Sequence, residues 1–71
     1  MDDAQRFSYQ LPVQVSLLRS LWLAYVLNED PELLRRFASA QSTLYLARAL
    51  AVAGNYHRAS ALLPPPFPYA Q

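Results

Sequence analysis

The chain has no cysteine, no lysine and a single glycine, and only 15% of its 71 residues are charged. Without cysteine no disulfide can form, and the lone His57 cannot by itself fill a tetrahedral zinc site. Two of the staples that rescue very small domains are therefore excluded, and no metal or other cofactor is expected. A chain of this length buries only about 60% of the surface that its unfolded form exposes, so its core supplies about 3–5 kcal/mol. Oligomerisation or a lasting partner is the remaining device. The charged fraction is well below the roughly 25% of ordinary soluble domains, while 54% of the residues are apolar. That excess of apolar surface predicts another protein chain to cover it.

The charge that is present is nearly balanced. Six arginines stand against Asp2, Asp3, Glu29, Asp30 and Glu32, giving a net charge of +1. Binding to a nucleic-acid backbone needs a concentrated basic patch, and here the arginines are dispersed, so no nucleic-acid partner is expected. Arg35 and Arg36, the one adjacent pair, read as a solvated helix face. Met1-Asp2-Asp3 is acidic where a secretion signal would be basic. The greasiest stretch, 13–27, contains Gln14, Ser16, Arg19 and Ser20 and falls short of the roughly 20 apolar residues that cross a bilayer, so no membrane span is expected. The lack of cysteine fits a reducing compartment, and a cytoplasmic location is the expectation.

The pattern along the chain predicts a single all-α domain, a small helical hairpin bundle. Residues 1–11 carry no sustained period and are expected to form a mobile arm. Pro12 suits a first helical turn, and a helix is expected from there to Asn28. At 100° per residue, Leu17, Leu18, Leu21, Trp22 and Tyr25 share one broad face of it, with Val13, Leu23 and Leu27 on the other side. Both sides want cover. Asn28-Glu29-Asp30-Pro31-Glu32 then gives a strong start signal, because Asp30 can cap, Pro31 fits the first turn and Glu32 complements the positive helix end. The second helix is expected over 31–40, with Ser39 or Ser42 capping a third over 42–53 or lying inside one continuous helix. Gly54-Asn55 ends that helix and caps a fourth over 55–63. Pro64-Pro65-Pro66 stops it, and the Pro-rich tail 64–71 reads as an extended polyproline segment. Pro66-Phe67-Pro68-Tyr69 lacks the adjacent prolines of a Pro-Pro-x-Tyr ligand.

Residues 40–63 resemble one tetratricopeptide repeat unit. Leu46 and Ala47 occupy the Leu-Gly positions, Gly54 and Tyr56 form the Gly-x-Tyr turn, and Ala59 fills the close-approach position. Leu50 and Leu63 replace aromatics of the pattern, Thr43 stands where the family has Trp, and the repeat's final Pro is missing. The resemblance implies a tetratricopeptide-like C-terminal half. On a helical wheel Thr43, Leu46, Ala47, Leu50 and Gly54 share the hairpin face, while Gln41, Leu44, Tyr45, Arg48, Ala51 and Val52 share the opposite one. The second face corresponds to the concave surface of such repeats. Either a partner's amphipathic helix seats there or the first helix folds back over it, in which case the partner surface lies around Leu23 and Leu27.

So short a tetratricopeptide-like chain, greasy and free of cysteine, resembles the small cytoplasmic chaperones of bacterial type III secretion systems, which keep the needle subunit from polymerising. What the resemblance implies is a groove of helices holding the partner's amphipathic helix, with a second small co-chaperone as a further partner. A self-associating bundle and an inhibitor that blocks its target by the same helix-in-groove contact are the competing classes. An enzyme is not expected, because Asn55, Tyr56 and Ser60 are near His57 in sequence but no Asp, Glu or Cys lies within a helical turn of it.

Overall fold

The computed structural model describes residues 2–64. They form an all-α helical hairpin bundle of three helices, α1 Asp3–Asn28, α2 Pro31–Val52 and α3 Tyr56–Leu62, with no strand among the described residues.

The start of α1 corrects the expected mobile arm at 1–11, since all of 3–11 is helical. Asp2 is the cap, its carboxylate accepting from the Gln5 amide at 2.7 Å. The segment is held by tertiary contact rather than by a local period. Phe7 is buried and meets Tyr56 edge-on at 6.2 Å between ring centroids, and the buried Ser60 hydroxyl donates to the Asp3 carbonyl at 3.1 Å. Pro12 is therefore inside α1 and not at its first turn. The helix passes through it because the N–H that proline lacks would have donated to the Ser8 carbonyl, and both residues are on the exposed side, where water can donate to that carbonyl instead.

The turn between α1 and α2 follows its start signal. Glu29 takes a left-handed conformation, φ 52°, and its amide donates to the Tyr25 carbonyl at 2.6 Å. Asp30 then caps α2 by accepting from the Glu32 amide at 2.9 Å, with Pro31 in the first turn. Ser39 and Ser42 start no new helix, and α2 runs unbroken to Val52. No glycine or proline interrupts it, and the Thr43 hydroxyl bonds back to the Ser39 carbonyl at 3.1 Å, which leaves the helical ladder intact.

Gly54 ends α2 at φ 86°. Its amide reaches the Ala51 carbonyl at 2.9 Å and the Asn55 amide reaches the Leu50 carbonyl at 2.8 Å, the paired bonds of a left-handed helix stop. Asn55 caps α3 through its side chain, which accepts from the Arg58 amide at 3.3 Å. Leu63 is extended, as a residue before proline must be, and buried. The Gln14 side chain donates to the Pro64 carbonyl at 3.0 Å and fastens this exit to α1. The rest of the Pro-rich tail, 65–71, lies outside the described residues.

The core is small and sits at one end. Phe7, Leu44, Ala47, Ala51, Ala59 and Leu63 form it, with Leu11, Val15, Leu18 and Leu50 packed against them. Ala47 and Ala59 are fully buried, which lets α2 and α3 approach closely. Leu44 and Ala51, 7% and 8% exposed, pack in the same cluster as Phe7 of α1. This corrects the expectation that Leu44 and Ala51 are free for a partner: α1 folds back over them, while Tyr45 and Val52 on the same side of α2 stay exposed. Leu46, expected on the hairpin face, is instead exposed.

Candidate protein-docking groove

α3 has seven residues and α1 has 26, so α3 is about 10 Å long beside a helix of about 39 Å. A third helix can therefore cover only one end of the hairpin. Among the described residues none from Leu11 to Thr43 is buried, although this stretch carries most of the large apolar side chains. At that end Trp22 meets Phe37 at 5.0 Å and Tyr25 at 5.6 Å between ring centroids, yet Trp22 remains 43% exposed. The aromatic contact joins the two helices, and the rings still face water.

The opening beside them is a groove of about 640 Å³ lined by Val15, Leu18, Arg19, Trp22 and Leu23 of α1 and by Phe37 and Gln41 of α2. A separate, smaller depression of about 280 Å³ is nearer the α1 start, with Ser8, Leu11, Arg48, Val52 and Tyr56 around Phe7 and Ala51. On α1 the residues from Ser8 to Leu23 that line the two fall within one arc of about 140°, and those of α2 within a similar arc, so both openings are on one face of the pair. A further cleft of about 350 Å³ between Leu17, Leu21 and Thr43 is bounded by the chain's own Leu62, Leu63 and Pro64.

The residues singled out from sequence divide between these places. Leu23, 59% exposed, and Gln41 are in the main groove. Arg48, Ala51 and Val52 line the depression, with Val52 91% exposed and Ala51 forming the buried floor. Tyr45 is exposed on the rim of α2, Leu27 is 82% exposed beyond Leu23, and Leu44 is buried beneath the face rather than on it. Sequence reasoning missed Arg19, Trp22 and Phe37. Trp22 was read only as part of a broad α1 face that wants cover; periodicity locates a face but not whether anything covers it.

Tertiary structure also supplies what the sequence neighbourhood of His57 lacks. Asp3, remote in sequence, brings its carboxylate to 3.4 Å from Nδ1 of His57, both side chains being open to water. Ser60 is buried one turn further along α3, and its hydroxyl donates to the Asp3 backbone carbonyl rather than to the imidazole. The three residues thus fasten α3 to the start of α1. Among the described residues no group of three His, Cys, Asp or Glu side chains is placed to hold a metal ion, and no helix is long and apolar enough to cross a membrane. No family model, curated protein or solved structure matches this chain.

Proposed function

We propose that the chain is a non-catalytic protein-binding module that holds an amphipathic helix of a partner protein in the groove between α1 and α2. The observation that carries this reading is the set of large apolar side chains left open along one face: Trp22 and Leu23 beside Phe37, continuing to Val52. A helix laid in such a groove gains apolar burial along its whole length and reads as anchors three and four positions apart. The hairpin's own small core supports the same reading, because burial supplied by a partner adds directly to stability.

The finer form of the proposal is a cytoplasmic chaperone or adaptor acting as part of a hetero-oligomer, of the kind that guards a type III secretion needle subunit. It is supported by the tetratricopeptide-like spacing of residues 40–63 and by the close approach of α2 and α3 at Ala47 and Ala59. An inhibitor that blocks its target's helix would use the same groove.

Trp22 is the chain's one tryptophan and lines the groove, so its fluorescence reports occupancy. Titration with an amphipathic helical peptide is expected to shift its emission to the blue and to raise the melting temperature. Leu23→Asp should abolish the shift while circular dichroism stays helical. An emission that no helical peptide changes, together with a melt that rises only with protein concentration, would replace this reading with a self-associating bundle.

A further inference from the structure

We propose that the helix taken by this groove is acidic on both flanks of its apolar stripe, a partner chemistry set by Arg19 and Arg48; the inference rests on the groove being the partner site. Arg19 lines the main groove on the α1 wall, and Arg48 lines the smaller depression on the α2 wall of the same face. Both are exposed, and among the described residues neither makes an ion pair. The chain's acids are elsewhere. Asp2 and Asp3 are at the start of α1, and Glu29, Asp30 and Glu32 are at the turn into α2, so no carboxylate lines either opening. The polar partners that do line them, Ser8 and Gln41, are neutral. The face is therefore apolar along its floor, with one unanswered positive charge on each wall.

Arginine suits this place. Its stem lies on apolar surface while the guanidinium stays wet and offers a planar fork to a carboxylate. The positions of the two charges also fix a spacing. α1 and α2 run antiparallel, with Trp22 against Phe37, so Arg19 is level with the region of Gln41 and Arg48 is level with Leu11. Eight residues of α1 separate those two levels, about 12 Å at 1.5 Å per residue. A helix lying along the groove meets both arginines with carboxylates about 12 Å apart along its axis, one on each flank.

The same charges argue against a second copy as the occupant. In a two-fold pairing of this face each copy brings Arg19 and Arg48 to the seam and no acid to answer them, and like charges brought together at an interface oppose association. A partner that supplies carboxylates turns the same charges into attraction and faster encounter.

Three synthetic helices with one apolar stripe and with glutamate, glutamine or lysine at the flanks separate the possibilities, read by Trp22 emission and by sedimentation of the free chain. At low ionic strength the glutamate peptide is expected to bind about tenfold or more tightly than the lysine peptide, with glutamine between them, and 1 M salt should collapse the difference. Arg19→Glu with Arg48→Glu should reverse the order, and since both side chains are exposed the double variant should remain helical. Equal binding of all three peptides, or a preference that survives the double reversal, would overturn the charge assignment while leaving the groove reading intact. Failure of every peptide to bind, or a dimer in which Trp22 is already shielded, overturns both.

Discussion

The two ends of this helical hairpin use side chains of similar greasiness and differ in what lies across them. Where α1 begins, α3 crosses the pair, and Phe7, Leu44, Ala47, Ala51, Ala59 and Leu63 are buried. Toward the α1–α2 turn only two helices are present, and Trp22, Leu23, Val26, Leu27 and Leu34 are all exposed. The alanines make the difference at the first end, since they let three backbones come close enough to exclude water. At the second end the residues are bulky and the helices alone cannot enclose them. Burial is therefore concentrated at one end and exposed apolar surface at the other.

The largest effect that should separate the ends is a charge placed in each. Leu44→Asp buries a carboxylate without a partner, at a cost of about 3 kcal/mol or more, comparable with all that a core of this size supplies, so circular dichroism should report loss of helix. Leu27→Asp changes an 82% exposed residue and should leave the melt within about 0.5 kcal/mol of the parent. Equal damage from both would mean that the turn end is closed in solution.

A smaller contrast compares two phenylalanines. Phe7→Ala removes a buried ring from a packed site and should cost about 3 kcal/mol. Phe37→Ala removes a half-buried ring and should cost roughly half as much, while abolishing the blue shift that a bound helix produces at Trp22. Chemical denaturation measures both. It also tests whether residues 3–11 belong to the fold, because an unattached arm would leave Phe7→Ala silent.

The smallest effects belong to the two turns and should have opposite signs. Gly54 has φ 86° and open space where a Cβ would stand, so Gly54→Val meets backbone strain without a clash and should lower stability by about 1–2 kcal/mol. Glu29 holds a left-handed conformation without being glycine, so Glu29→Gly should raise stability by about 0.5 kcal/mol, read as a small upward shift of the melt. If Glu29→Gly destabilises instead, the turn end depends on the glutamate side chain rather than on its backbone.

Much of the local structure was legible in the residues. Asp30-Pro31-Glu32 and Gly54-Asn55 act through bonds that span two to five positions, so their reading needed no knowledge of the rest of the chain. The Asp2 cap was equally readable, because a glutamine three residues later marks a helix start, and attention to Asp2 and Gln5 would have extended α1 to its observed beginning. The candidate site was only partly legible. Leu23, Gln41, Arg48 and Val52 line the open face, but Leu44 and Ala51 are core, and Trp22, read only as part of a face that wants cover, lines the groove.

What the sequence determined by itself was therefore the all-α class, the turns at 28–32 and 54–55, and the excess of apolar surface. Composition and short-range hydrogen bonding are properties of neighbouring residues, and they survive whatever the remainder of the chain does. Tertiary structure alone decided that residues 3–11 join the fold through Phe7 and Ser60, and that α1 covers Leu44 and Ala51 while leaving Trp22 and Phe37 open. An apolar face that winds around a helix can be covered from several directions. Which one is taken depends on the lengths of the neighbouring helices and on where small residues let them meet.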